Sequence, residues 1–214
     1  MIIKSVMSKD PICISADASL TDAMALMTKH KISKLPVIDK NKDLVGIITK
    51  NDLSKASPSD ATTLDMFEIS YLLTKINVSK IMTKNVISVR EDEVVEECAR
   101  IMVDNQIGCI PIVKDKILIG IVTESDLFHL FTDMFGARQS GVRATLEMQD
   151  KPGSIASLAK EIAEINGNII SLVTRDCSDK ENRKLTVKVT DVSLVQFQEI
   201  AKKLGITIED IRVV

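Results

Sequence analysis

Apolar residues in the first two-thirds of the chain fall into short blocks with two kinds of spacing. Ile12 and Ile14 alternate as in a short strand, and Leu20, Ala23, Met24 and Met27 recur at helical spacing. Leu35–Ile38 and Leu44–Ile48 are short apolar runs on either side of the polar stretch Asp39–Asp43, which predicts a hairpin. The blocks then return. Val6-Met7-Ser8-Lys9-Asp10-Pro11-Ile12 recurs as Ile81-Met82-Thr83-Lys84-Asn85-Val86-Ile87, an offset of 75 residues. Ile32–Ile38 recurs as Ile107–Val113 and, after a one-residue loop deletion, Gly46–Leu53 as Gly120–Leu127. Three blocks in one order mark a tandem duplication. In the second copy Val94, Cys98, Ile101 and Met102 take the helix, and Ile110–Val113 and Ile117–Val122 the strands. Each copy therefore reads strand, helix, strand, strand, helix. A unit of ~50 residues is near the lower limit for a core of its own, so two copies should pack together as a pair.

Between the copies, Ser57-Pro58-Ser59-Asp60 reads as a loop and Thr63 as the N-cap of a helix whose packing face is Phe67, Tyr71 and Leu72. The repeat stops after Phe135–Gly141. Val142–Met148 then alternates as a strand, and Asp150-Lys151-Pro152-Gly153 is a turn of type II composition. Ile155, Leu158, Ala159, Ile162 and Ile165 form an amphipathic helix, which a glycine stop at Asn166-Gly167 should end. Asn168–Thr174 and Leu185–Val189 read as strands around a polar turn at Ser178–Arg183. Leu194, Phe197, Ile200, Ala201 and Leu204 make a helix, and Ile206–Val213 a last strand. The order βαββαβ is ferredoxin-like. The chain is thus read as α+β, with boundaries at 1–56, 57–79, 80–135, 136–141 and 142–214.

Composition narrows the function. The 214 residues are 45% apolar and only 3% aromatic, with net charge −2, so neither a basic surface nor stacking rings point to nucleic acid. No apolar run approaches the ~18–20 residues of a membrane span, and no signal-peptide core follows the start. A cytoplasmic protein is the expectation. Cys13, Cys98, Cys109 and Cys177 are far apart, and His30 and His129 are the only histidines. Neither a metal cluster nor a nucleophilic dyad can be assembled from these spacings, so no catalytic or metal site and no cofactor are expected.

The duplicated Gly-h-h-Thr-x-x-Asp segment (h apolar) carries the most chemistry. A strand ends at Ile48 or Val122 and a helix begins at Thr49 or Thr123. The free N–H groups of such a first turn can hold a phosphate, and the Asp three residues on can take ribose hydroxyls. Thr-x-x-Asp is equally close to a capping box, which closes a helix with no ligand at all.

Residues 5–130 resemble a tandem CBS-domain pair, a Bateman module, through Met7 and Met82, the Leu35-Pro36-Val37 and Ile110-Pro111-Ile112 strands and both Gly-h-h-Thr-x-x-Asp ends. Residues 142–214 resemble an ACT domain through Asp150-Lys151-Pro152-Gly153 and Ile165-Asn166-Gly167-Asn168-Ile169. The layout, with Ala56-Ser57-Pro58-Ser59 after the first repeat, is similar to a bacterial group of acetoin utilisation proteins. The CBS resemblance implies a non-catalytic regulator that binds an adenosyl ligand (AMP, ATP or S-adenosylmethionine) in the cleft between repeats. The ACT resemblance implies an amino-acid ligand or dimerisation, and together they imply a homodimer. Carried over by residue, Asp52 and Asp126 would be ribose ligands, Thr49 and Thr123 their phosphate or ribose neighbours, and Pro36 and Pro111 would line the clefts. Asp150, Gly153 and Asn168 would be the amino-acid positions. A structural dimerisation adaptor with vestigial clefts is the alternative.

Lys34 occupies a place for a basic phosphate contact, whereas its mate is the neutral Cys109. Residues 1–53 hold eight Lys/Arg against six Asp/Glu, a balance of +2, and residues 80–127 hold six against nine, a balance of −3. Glu124 stands where the first copy has Lys50. The expectation is that the first site prefers phosphorylated adenosine and that the second is empty or takes a neutral or cationic adenosyl group. Lys29, His30, Lys31 and Lys34 could equally form a solvated edge.

Overall fold

Each copy of the repeat builds the elements its periodicity requires, but the two do not close their sheets separately. In the computed structural model, which describes residues 1–56, 65–177, 179 and 181–214, the first copy runs β1 (Ser8–Lys9), β2 (Ile14–Ser15), α1 (Leu20–His30), β3 (Lys34–Ile38), β4 (Leu44–Thr49) and α2 (Lys50–Ala56). After α3 (Met66–Thr74) the second copy gives β5 (Val89–Arg90), α4 (Val95–Asp104), β6 (Cys109–Lys114), β7 (Ile117–Thr123) and α5 (Glu124–Met134). The C-terminal elements are β8 (Val142–Gln149), α6 (Ser154–Glu164), β9 (Asn168–Asp176), β10 (Asn182–Thr190), α7 (Leu194–Lys203) and β11 (Thr207–Val213). The chain divides into two compact units, Met1–Leu127 and Phe128–Val214. The fold is α+β.

In the first unit the pairing is exchanged between copies. β1, which leads the first copy, pairs with β7 of the second in a sheet ordered β1-β7-β6-β5. The matching residue of the second copy, Thr83, exchanges two backbone hydrogen bonds of 2.9 Å with Ile47 on β4, beside the sheet β2-β3-β4. The same reciprocity recurs at the 75-residue offset. Ile3 N–H donates to the Glu93 carbonyl at 2.7 Å, and Val78 N–H to the Ala18 carbonyl at 2.8 Å. Both donors are wholly buried, and Val78, at the head of the second copy, lies in the core cluster of the first. Each ~50-residue copy thus completes its core with residues of the other. The close approach falls on glycine: a side chain at Gly120 would strike Met7, and one at Gly46 would strike Met82.

Ser19 caps α1 in a reciprocal box with Asp22, and Lys31, left-handed at φ 54°, ends it. Several local expectations shift. β2 begins at Ile14, so Ile12 lies outside it. Val94 is the N-cap of α4, whose buried residues are Val95, Cys98 and Met102, and Met24 is exposed. The cap of α3 is Asp65, which makes a reciprocal box with Glu68. Thr63 and the Ser57–Asp60 loop lie outside the described residues, as does the Phe67 side chain. Tyr71 and Leu72 are exposed, and Leu73 is the residue that packs.

In the second unit the sheet order is β11-β8-β10-β9, the ferredoxin-like arrangement. Ala144, Leu146, Leu185, Val187 and Val189 face Leu158 and Ile162 of α6 and Phe197 of α7, all within 1% of complete burial. The left-handed residue after α6 is Asn166, at φ 61°, and not Gly167. Gly167 is needed for space instead, because a side chain there would meet Val192 and Ile162.

Candidate functional site

Both Gly-h-h-Thr-x-x-Asp segments fold alike. Thr49 N–H and its hydroxyl both donate to Asp52 Oδ2, at 2.8 and 2.7 Å, and Asp52 N–H donates back to the Thr49 hydroxyl at 3.2 Å. Thr123 and Asp126 repeat this at 2.8, 2.7 and 3.4 Å. These are closed capping boxes. All of the bonds land on Oδ2, so Oδ1 of each half-buried carboxylate is spared for another donor.

The exchange of leading segments decides what each box faces. Beside Thr123 and Asp126 lies a cleft of about 460 Å³, whose other wall comes from the first copy: residues 8–12, residues 31–34 and Pro36. Ile121 completes the floor. In the other half of the exchange Thr83 pairs with Ile47, two residues before Thr49. Lys34 pairs with Thr49 across β3 and β4, and it also lines the cleft beside Thr123 and Asp126. It is not in a cleft separate from Glu124. Its ammonium donates to the Gly108 carbonyl at 2.6 Å and lies 3.5 Å from Glu124 Oε2. A side chain at Gly108 would strike both charged groups, so glycine there makes room for the pair. The opposite balances of the two copies meet in one place. Lys9, Lys31 and Lys34 line the cleft against Asp10, Glu124 and Asp126.

Residues 8–12, which the sequence marks only as part of the repeat, form a wall of the cleft. Their local signal is slight: Asp10 is left-handed at φ 47°, a region that Asp tolerates in turns. Cys109, the mate of Lys34, is buried. Burial pushes its thiol up, and the nearby Lys34 opposes that shift. All four cysteines are free thiols.

The expected amino-acid positions do not converge. Asp150 follows β8 and is bound by Arg183 at 3.0 Å, and Gly153 is the left-handed N-cap of α6 at φ 90°. Gln149, beside Asp150, pairs with Asn182 at one end of the sheet, whereas Asn168 pairs with Thr190 at the other. At ~3.4 Å per residue, a strand length of about 20 Å or more separates them. Within one chain they form no single site.

An exchanged pair of β-α-β-β-α repeats, with a Thr-x-x-Asp box after each last strand and a cleft lined by both copies, defines a tandem CBS-type module. The chain belongs to the CBS-domain family, whose model matches residues 3–59 and 78–133, and residues 140–212 match a TTHA0829-like ACT domain. It is similar to the L-aspartate semialdehyde sulfurtransferase of Methanocaldococcus jannaschii, with 35% identity over 131 residues, 61% of this chain and 23% of that protein. It thus spans about a quarter of the length of that curated relative. Among solved structures it is similar to the CBS domain pair of protein MJ0100 in complex with 5′-methylthioadenosine and S-adenosyl-L-methionine, at 35% identity and TM-score 0.51, over 61% of this chain and 99% of that one. A putative acetoin utilization protein (AcuB) from Vibrio cholerae matches at 28% identity and TM-score 0.55, over 64% and 95%. CBSX2 in complex with AMP matches at 26% and 0.52, over 64% and 98%. Among the described residues no helix is long and apolar enough to cross a membrane.

Proposed function

We propose that the CBS pair is a non-catalytic sensor of an adenosyl compound and that the 460 Å³ cleft is its binding site. The observation that carries this reading is the meeting of Thr123 and Asp126 from one repeat with Lys34 and Pro36 from the other. Asp126 Oδ1 would accept from the ribose hydroxyls, the first turn of α5 would receive the polar tail, and Pro36 with Ile12 and Ile121 would clamp the base. Thr49, Asp52 and Pro111 take the equivalent roles in the symmetry-related cleft. With three lysines against three carboxylates, this cleft is formally neutral. That balance favours S-adenosylmethionine or AMP over the more highly charged ATP. A ligand there touches both repeats, so occupancy favours one arrangement of the pair, which a partner could read.

Both Asp carboxylates are already engaged by their own threonines, which is the observation that favours a structural adaptor instead. Calorimetric titration of the full chain with AMP, ATP and S-adenosylmethionine separates the two. Saturable binding at a site that Asp126→Ala weakens at least about tenfold supports the sensor, whereas no binding by any of the three leaves the adaptor. Phe128, Phe131 and Met134 on α5 are more than half exposed, which supports a homodimer, and light scattering of the purified chain tests it. The likeness to the Vibrio cholerae protein supports a role in acetoin or acetyl-group metabolism, and growth of a deletion strain on acetoin tests that.

A further inference from the structure

The face of the C-terminal sheet turned away from α6 and α7 has an unbalanced row of charge. Paired residues of an antiparallel ladder project to the same side, and the register sets Arg212, Arg143, Lys188 and Ser171 abreast on four adjacent strands. Like charges directly opposite one another are unfavourable unless anions intervene. One does: Asp210 accepts from Arg143 Nη1 at 3.1 Å and from Arg212 Nε at 3.0 Å. Its single charge is shared by the two arginines. Among the described residues Lys188 has no carboxylate partner, although it is only 3% exposed. Its ammonium donates to the Gly136 carbonyl at 2.8 Å. An ammonium carries three donors, and a buried cation held by one neutral acceptor is costly.

Beside this lysine is a cavity of about 230 Å³. It is lined by Lys188, Arg143, Ser171, Thr186 and Val214, with Phe135 and Ala137 as an apolar wall, and the Ser171 hydroxyl donates to the Phe135 carbonyl at 3.4 Å. We propose that the cavity binds a small organic monocarboxylate, with Lys188 and Arg143 receiving the carboxylate and the Ser171 and Thr186 hydroxyls receiving a 2-hydroxy or 2-oxo group. One negative charge supplies what the row lacks. The volume is below the range of drug-sized pockets but exceeds several water volumes, which suits an acid of about four to eight heavy atoms. The site is separate from the Asp150–Gly153 turn, because Lys188 pairs with Arg143 near the opposite end of β8. It is also independent of the adenosyl reading.

The test is calorimetry and chemical-shift titration of the full chain at low salt with pyruvate, lactate, the neutral isostere lactamide and inorganic phosphate. The expected result is saturable binding of pyruvate or lactate and none of lactamide. Lys188→Met should weaken the binding at least about tenfold, as expected for loss of a charge-assisted bond. Thr186→Val, which leaves every charge in place, should weaken it about threefold to tenfold through loss of one neutral hydrogen bond. That variant, with the acid–amide comparison on the wild type, decides the matter if Lys188→Met does not fold. The proposal is overturned if neither acid binds, if lactamide binds as well as lactate, if phosphate binds more tightly than both acids, or if a folded Lys188→Met binds like the wild type. In any of those cases Lys188 only holds the Gly136 carbonyl.

Discussion

Asp52→Ala and Asp126→Ala together separate a helix cap from a ligand contact. Each replacement deletes two hydrogen bonds to a carboxylate, from the Thr N–H and the Thr hydroxyl, with the same geometry to within 0.1 Å. Loss of a cap costs about 1 kcal/mol and up to about 2. The carboxylates are half-buried and water can partly replace them, so about 1–2 kcal/mol is the expected cost at either position. At about 2.1 cal/mol/K per residue, the 127-residue first unit loses about 4–7 °C of Tm per variant, and the two losses should match. Binding should not match. Asp126 lines the 460 Å³ cleft and Asp52 does not, so Asp126→Ala should weaken binding of the proposed adenosyl ligand there at least about tenfold, or 1.4 kcal/mol, whereas Asp52→Ala leaves that site's affinity unchanged. Thermal unfolding followed by circular dichroism reads the first quantity and calorimetry the second. Wild-type affinity in a folded Asp126→Ala refutes the assignment, and clearly unequal Tm losses refute the claim that the two boxes are equivalent caps.

Phe197→Ala, which empties a fully buried position in the C-terminal unit, should cost about 3–5 kcal/mol and lower that unit's unfolding midpoint by at least about 12 °C in a calorimetric scan. Gly120→Ala should destabilise more than Gly46→Ala, by about 1–3 kcal/mol in urea titration. The new methyl at Gly120 meets the Ser8 backbone carbonyl at 3.2 Å as well as Met7, whereas at Gly46 the close contacts are with the movable Met82 side chain. Burial, followed by Glu93 and Glu97, pushes the Cys98 thiol up to about 11. A pKa raised on folding gives stability that is fully present below the unfolded value near 8.5 and is lost as pH rises through 11. Alkaline titration should therefore show a loss of stability above about pH 9 that Cys98→Ala removes. At neutral pH, iodoacetamide should leave Cys98 and Cys109 unmodified until denaturant is added.

Much of the fold was legible because it rests on local periodicity. The stripe of Leu20, Ala23 and Met27 fixed one helix, the two hairpins followed from their polar turns, and the duplicated blocks fixed the repeat. The misreadings have local causes too. Asn166 tolerates the left-handed region well enough to take the stop expected of Gly167, and Asp65 offers a better cap than Thr63 because Glu68 stands three residues on to complete the box. The pattern sets Tyr71 and Leu72 on a packing face, but Leu73 is the residue that reaches the core.

What the sequence determined by itself was which residues are candidates for a ligand site: Thr49 with Asp52, Thr123 with Asp126, and Lys34 without a basic mate. Which of them meet was decided by the tertiary structure alone. A strand pattern specifies which face is buried but not which chain segment lies beside it, and here the segment leading each repeat pairs with the last strand of the other. That exchange set Lys34, which pairs with Thr49 on its own sheet, against Glu124 of the other copy, so that two opposite charge balances meet in one formally neutral cleft. The same holds in the second unit. Arg143, Lys188 and Arg212 lie far apart along the chain, and only the hydrogen-bonded register of three strands makes them neighbours.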